Sequence, residues 1–500
     1  MPTRVQDMPL GEVLRRTAAA HGDRPALLSD ARCLTWGELD AEVDRVATMW
    51  AARGLRPDDP VAFVTDKRPE VVVGQLACAR GGFVYVPVNH KLPAEQIRDQ
   101  FATAGVRAVV SQESYRALAS AGGAAIHWHV EDWGENRPYA GRPDFVATAD
   151  TIWYYNYTSG STGRPKGAAT THRNVLANAV ATAEGLGMRA DDVYLGMFSV
   201  FAHPHELWHR SILNGGAFVV ADTLNPRVIA DVIQRFRVSW MMAVPSFYEM
   251  LLDFQENARA DLSSLRVLEA GGAHVTPETL ARMEAAFGAR FSPVWGCTEA
   301  SGVGLGMLAE GPRRPGSTGK PMPGYEIRVV TDDGRDAGVD EPGELWIRGE
   351  AVALGYVNQP EETAAQFVDG WYATRDLVRV DADGFVWFSG RRSEMLKIGG
   401  IRVFPLEIEQ AVAQHPDVRS VVVVRAEERL RGEIARAIVQ VAPGSTLTVR
   451  ALQAFCRERL AGYKVPRIVE FWREIPKLPN GKIDKKAVVA VPADPSRDER

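Results

Sequence analysis

Two stretches of this sequence hold residues whose types and spacing suit chemistry. Thr158 to Gly167 reads TSGSTGRPKG and gathers two Thr, two Ser, three Gly and a Lys directly after the aromatic run YYNY. Glycines let backbone N–H groups approach an anion, hydroxyls add donors and an ammonium adds charge. Thr158, Ser159, Gly160, Ser161, Thr162, Gly163 and Lys166 therefore suit a phosphate. The pattern is not the Walker loop, because Gly160 and Gly163 are three apart and Lys166 precedes Gly167, not Ser or Thr. A flexible Ser/Gly linker is the plainer reading, but linkers seldom sit between an aromatic strand and a helix.

The second stretch is His205-Glu206-Leu207-Trp208-His209. On a helix its two imidazoles share a face, and with the carboxylate between them they suit a zinc ion and a water-activating base. The preceding apolar run YLGMFSVF and the Gly215-Gly216 pair that follows permit such a helix. A third ligand is missing, however. Ile212 and Gly215 stand where the extended zinc motif has its glycine and third histidine, and the next acidic residue is Asp222. The chemistry is therefore sought elsewhere.

Around both stretches, strand-like runs alternate with amphipathic helical ones: PVAFVT before PEVVVGQLACARGG, AFVVAD before PRVIADVIQRF, SWMMAV before PSFYEMLLDF, LRVLEAGG before TPETLARMEAAF. Such alternation predicts a layered α/β fold with largely parallel sheets. From about Gly316 shorter strands with turns predict a β-rich subdomain attached to the large body. After SGRRSEMLKIGG a small α+β domain of about 100 residues begins. The expected division is 1–390, 391–490 and a frayed polar tail, 491–500. A net charge of −5 gives no electrostatic footprint for nucleic acid or an anionic membrane. Four scattered cysteines without a C-x-x-C pair, no signal-like start and no long uncharged apolar run point to a cytoplasmic protein without a membrane span.

YTSGSTGRPKG resembles the phosphate loop of the adenylate-forming superfamily, which includes acyl- and aryl-CoA synthetases, nonribosomal peptide adenylation domains and luciferase. Further motifs follow in that family's order from about residue 10 to 490. VWGCTEASG is similar to the motif whose aromatic stacks on adenine, whose threonine meets phosphate and whose glutamate helps hold Mg2+; the resemblance gives these roles to Trp295, Thr298 and Glu299. Trp295 replaces the usual tyrosine, although either ring offers a stacking face. EAGGAHV, with Gly271, Gly272 and Ala273, resembles the segment along the adenine. In DGWYATRDL the ribose-binding aspartate falls on Asp376, with Arg375 in place of the usual glycine. GRRSEMLKIGG resembles the hinge: Arg391 matches a ribose-contacting arginine, Lys397 the lysine that enters the site in a second conformation, and Gly399 and Gly400 the lining of the pantetheine tunnel. Ser393 departs from the usual pivot residue. PKLPNGKIDKKAV resembles the last motif and assigns the adenylating lysine to Lys482. Alone, Gly271 and Gly272 would read as a buried strand-to-turn corner, Asp376 as a solvated turn residue, the hinge stretch as a charged turn before a helix and Lys482 as a surface turn residue.

The resemblance implies a carboxylic acid:CoA ligase. A carboxylate attacks the α-phosphorus of MgATP to give acyl-AMP and pyrophosphate, with Lys482 and Mg2+ offsetting the repulsion between anions. A thiol, that of coenzyme A, then displaces AMP after the small domain swings. A stand-alone enzyme loading a carrier protein's phosphopantetheine is the alternative. Retention of Lys482, Glu299 and Asp376 argues against a non-catalytic relative. The HELWH segment becomes part of the acyl pocket, with Phe201, His203 and His205 as candidate substrate contacts and Trp208 behind them. Phe201 stands where amino-acid-activating relatives carry an aspartate, which favours a plain carboxylic acid, aryl or aliphatic.

Overall fold

The computed structural model describes residues 4–134, 147–158, 166–258, 260–272, 275–398, 401–428, 432–477 and 483–499. It is a mixed α/β structure of layered sheets and helices, as the alternation predicts. Packing divides the chain into a large unit, residues 1–327 and 347–373, and a smaller one, residues 328–346 and 374–500. The β-rich region is thus shared between the two.

In the large unit a sheet of nine described strands has six parallel strands at its heart: Pro25–Leu28, Ala217–Val219, Val193–Gly196, Trp240–Ala243, Val267–Ala270 and Arg290–Cys297, in that spatial order. Antiparallel strands Gly302–Gly306 and Lys320–Pro321 extend it beyond Arg290–Cys297. Strands covered on both faces read as continuous apolar runs, and WMMA and AFV are buried throughout. Glu269 is the exception, a charge in the buried run VLEA. It is held by an ion pair with the equally buried Arg210 and by the Trp240 indole, because a buried carboxylate is tolerated only when partnered.

A second sheet of six described strands ends in the antiparallel pair Ile152–Thr158 and Lys166–Thr171. The chain then enters helix His172–Leu186 through a capping box: Thr171 Oγ1 accepts from Asn174 N (3.2 Å), and Asn174 Oδ1 accepts from Thr171 N (2.8 Å). The described residues on either side of the phosphate-type loop are therefore antiparallel strands, and the helix expected directly after the loop begins one strand later.

In the smaller unit the strands Ile401–Val403, Leu396–Ile398, Gly432–Val441 and Val418–Glu428 are antiparallel neighbours, and Ile468–Phe471 joins Gly432–Val441 in parallel. Helices Pro405–Ala413 and Val449–Arg457 cover them over a core that includes Leu396, Ile408, Val412, Val439 and Leu452. The C-terminal stretch is a correction to the frayed tail. Arg436 forms a buried bidentate pair with Glu470 (2.8 and 3.0 Å) and donates to the Val491 carbonyl (2.7 Å). Asp494 N donates to Glu470, and Asp498 bridges Phe471. A buried ion pair and sheet edge thus hold residues 491–499. No described helix is long and apolar enough to cross a membrane.

Candidate active site

The hairpin register pairs Thr158 with Lys166 and Tyr157 with Gly167. A Cβ on Gly167 would sit 2.8 Å from the Tyr157 ring, so a side chain there would push the strands apart. Ser159, Gly160, Ser161, Thr162 and Gly163 lie outside the described residues, as do Ala273, Gly399, Gly400 and Lys482; of Thr158 only the backbone is described. Lys166 is buried, ion-paired with Glu362, with its ammonium 5.3 Å from the centre of the Tyr356 ring. The strand that carries it is bound along its other edge by the segment 354–357: Leu354 N to Ala169 O (3.0 Å), Ala169 N to Gly355 O (2.9 Å) and Val357 N to Gly167 O (2.8 Å).

Tyr356 links this edge to the next motif. Its hydroxyl donates to Glu299 Oε1 at 2.7 Å and accepts from Gln366 Nε2 at 3.0 Å. Burial, reinforced by Glu299, pushes the Tyr356 phenol above its ordinary range, so it remains a donor. Thr298 and Glu299 occupy a 3-10 turn, Thr298–Ala300, directly after strand Arg290–Cys297. Upstream, Trp295 is half-buried beside a bulge in the pairing with Gly302–Gly306. Gly296 has no room for a side chain, since a Cβ would lie 2.3 Å from the Gly302 carbonyl oxygen. At the end of the neighbouring strand Val267–Ala270, Gly271 is buried against Val294, and Gly272 takes a left-handed φ of 83°. Lys166, Glu299, Thr298, Trp295, Gly271 and Gly272 are thus brought to strand ends of one unit.

The HELWH string does not form an α-helix. It makes a 3-10 turn, Pro204–Leu207, followed by the single helical turn Ser211–Asn214 that closes on Gly215 (φ 70°). His205 and His209 are fully buried, edge to face at 5.0 Å. His205 Nε2 lies 2.9 Å from the Ser301 carbonyl, and His209 Nε2 lies 3.3 Å from Asn178 Oδ1. Burial pushes the His205 pKa down to about 4 and that of His209 well below its ordinary value, so both rings are neutral. Phe201 and His203 keep partial exposure, with ring neighbours His90 at 5.7 Å and Phe198 at 5.6 Å respectively. His205 instead packs against Tyr154 (5.4 Å) and Trp153 (6.2 Å), and Trp208 stacks edge-on to Trp153. Asn156 donates to the Ala202 carbonyl (3.0 Å) and so fastens this segment to the hairpin strand.

In the smaller unit, which takes strand Trp371–Val380 from Thr374 onward, that strand and Val386–Arg391 place Asp376 directly opposite Arg391, and Arg391 Nε donates to Asp376 Oδ1 at 3.1 Å. Asp376 is buried and Arg391 exposed. Arg375 has a φ of 62°, the conformation that the glycine expected there would adopt. Its amide donates to Glu344 (3.0 Å). Lys397 projects from the short strand Leu396–Ile398 into solvent, with its amide bound to Glu433 (2.6 Å). Glu394, in the turn with Ser393, pairs with Lys485 at 2.6 Å.

Family models give this arrangement its identity. Residues 14–357 match that of the AMP-binding enzymes, and residues 407–482 match the C-terminal domain of the same enzymes. The chain belongs to the AMP-binding enzyme family. A feruloyl-CoA synthase of an Amycolatopsis species is 32% identical over 480 residues, 94% of this chain and 95% of the relative. An indoleacetate–CoA ligase of Aromatoleum aromaticum is 31% identical over 502 residues, 96% of this chain and 98% of the relative. The crystal structure of the anthranilate CoA ligase AuaEII in complex with anthranoyl-AMP superposes with a TM-score of 0.91 at 26% identity, covering 97% of this chain and 98% of that one.

Sequence reasoning missed Tyr356, Glu362 and Gln366. Tyr356 lies in the stretch GELWIRGEAVALGYVN, and nothing in its spacing tells that the phenol reaches Glu299, 57 residues away. It also missed that His205 Nε2 meets the Ser301 carbonyl, next to the Glu299 turn, and that His209 Nε2 meets Asn178 Oδ1.

Proposed function

We propose that this enzyme, an AMP-forming ligase that joins a carboxylic acid to a thiol, acts on an aryl or arylalkyl acid with coenzyme A as acceptor. The observation that carries the reading is the link Lys166–Tyr356–Glu299, which ties the edge of a Gly/Ser/Thr-rich loop to an acidic turn at the strand ends. Glycine-rich backbone and an ammonium suit the phosphates of ATP. The hydroxyl of Thr298 and the carboxylate of Glu299 are hard oxygen donors, a set that suits Mg2+. When bound, that ion would offset phosphate charge during transfer.

In this reading Tyr356 fixes the Glu299 carboxylate, Trp295 offers its face to adenine, and Asp376 with Arg391 binds the ribose. Asp376 suits two hydroxyls because an ionised carboxylate only accepts. The acid's carboxylate oxygen bonds to the α-phosphorus while the bond to the pyrophosphate oxygen breaks. The thiol sulfur then bonds to the acyl carbon, its proton leaves to solvent, and AMP departs with the electron pair. Lys482 serves the first step and Lys397 the second, with residues 391–490 moving as a lid about residue 390. The rings of Phe198, Phe201 and His203 favour a flat acid, as do relatives named for feruloyl, indoleacetate and anthranilate substrates. A cytoplasmic location belongs to the same reading.

The test is acid-dependent pyrophosphate release with MgATP across aryl, fatty and amino acids, with and without coenzyme A. Release with aryl acids, accelerated by coenzyme A and lost in Glu299→Gln and Lys482→Ala, is expected. Release indifferent to coenzyme A would transfer the acceptor role to a carrier protein. Preference for a fatty or amino acid would overturn the acid class.

A further inference from the structure

The turn that carries Thr298 and Glu299 is unusual in its exit. Ser301, which is not glycine, has a φ of 54°, and Gly302 follows at 120°. Two consecutive residues in the left-handed half of backbone space do not hold a turn by themselves; surroundings must fix it. Three consecutive carbonyls are gripped from outside. Glu299 O accepts from Ala353 N at 2.8 Å, Ala300 O from the Tyr325 hydroxyl at 2.6 Å, and Ser301 O from His205 Nε2 at 2.9 Å.

A second layer stands behind the first. Asn178, from helix His172–Leu186, donates to the Tyr325 hydroxyl (2.8 Å) and to the Val303 carbonyl (2.9 Å). Its Oδ1 is then the acceptor facing His209 Nε2. A carbonyl oxygen cannot donate, so both histidines must carry their proton on Nε2. His205, His209, Asn178, Ser301 and Ala300 are all buried, where such bonds are not diluted by water. Gly302 makes the approach possible, since a Cβ there would lie 2.7 Å from Glu206 Oε1.

We propose that the two histidines of the HELWH string are positioning residues for the Thr298–Glu299 turn: His205 holds it directly, and His209 holds it through Asn178 and Tyr325. The string thereby has a task without metal, and it joins the acyl-pocket segment Phe201–His203 to the turn in a single piece of chain. This rests on the assignment of Thr298 and Glu299 to MgATP.

The experiment measures both half-reactions in full-length His205→Phe, His205→Gln, Tyr325→Phe and Glu299→Gln enzymes, with thermal midpoints. His205→Phe keeps ring bulk and loses the donor; His205→Gln puts an amide N–H where Nε2 was. Loss of one positioning bond is expected to lower kcat for pyrophosphate release roughly 10- to 100-fold in His205→Phe and Tyr325→Phe and to raise KM for MgATP. KM for the acid and thioester formation from supplied acyl-AMP should stay within about threefold, and His205→Gln should recover most of the loss. A variant combining His205→Phe with Tyr325→Phe should lose less than the product of the singles, because both bonds hold one turn. If both half-reactions fall together with the midpoint and Gln gives no recovery, His205 is only core and the inference fails. Unchanged kcat and KM for MgATP in both Phe variants would also overturn it, provided Glu299→Gln is inactive. An active Glu299→Gln would instead remove the MgATP assignment underneath.

Discussion

Glu206 brings a carboxyl group into the protein interior, with neither oxygen given a hydrogen-bond partner among the described residues. Burial pushes its pKa up to about 8, against the opposing pull of Arg210, with Glu269 adding to the rise. The folded state therefore keeps a proton that the unfolded chain has released above about pH 4.5. Stability from this proton is lost as pH rises, and the loss is complete once the folded group itself ionises near 8. Below pH 6.5 the buried His172 and His205, whose pKa values burial lowers to about 3 and about 4, act in the opposite direction, so the clean window is pH 6.5 to 8. There wild-type unfolding free energy should fall by up to about 1.4 kcal/mol per pH unit relative to Glu206→Gln. Parallel denaturant titrations of the two proteins across that window would show it, and parallel pH profiles would refute it. Arg375 permits a second residue-scale prediction. Its left-handed backbone costs on the order of 1 kcal/mol, and a glycine there relieves that cost while adding unfolded-state entropy of similar size. Arg375→Gly should leave the melting temperature nearly unchanged, whereas Arg375→Val, β-branched at positive φ, should lower it. Scanning calorimetry separates the two.

The helix His172–Leu186 is the element on which the large unit's site leans, because it carries Asn178 inward and begins at the strand that holds Lys166. Its capping box does more than satisfy two amides: Asn174 Nδ2 also donates to the Glu350 and Val352 carbonyls at 2.7 and 2.9 Å, which anchors the segment leading to Tyr356. Thr171→Ala should cost about 1 kcal/mol, an ordinary cap loss. Asn174→Ala should cost more and, unlike Thr171→Ala, should also weaken MgATP binding; chemical denaturation and substrate titration would check both. The order of these elements was legible in the sequence, since a 3.6-residue period and a two-residue period are local properties of the chain. Thr298, Glu299, Asp376 and Arg391 stand out as candidates in the sequence because their neighbours form recognisable runs. The 3-10 turn of the HELWH string was not legible, because it goes with the packing of Trp208 on Trp153, a contact between distant segments. Partners such as Tyr356 for Glu299 or Tyr325 for Ala300 depend on sheet order, which no local pattern encodes. The opposing placement of Asp376 and Arg391 is likewise a matter of register between two strands.

At the scale of the whole chain, the two lysines proposed for the two half-reactions both belong to the smaller unit, on separate pieces of it. Lys397 is mid-strand, with its main chain tied to Glu433 and its side chain in solvent. Residues 478–482 are bracketed by the bridge between Lys477 and Ile483 and by Asp484, which caps helix Lys485–Ala490. An ammonium placed against an α-phosphate stabilises charge only while phosphoryl transfer is under way; a thiol's attack on acyl-AMP needs a different group near the thioester. If a moving lid presents one lysine at a time, the half-reactions are separable by single substitutions. Lys482→Ala should lose acid-dependent ATP–pyrophosphate exchange by two orders of magnitude or more, roughly the worth of one preorganised charge, yet still convert supplied acyl-AMP and coenzyme A to thioester. Lys397→Ala should do the reverse. Both rates would be followed by quenched flow, with the nucleotide products resolved. A static lid gives a different result, in which either substitution slows both steps by a common factor. That outcome would remove the hinge at residue 390 while leaving the ligase chemistry of the large unit in place.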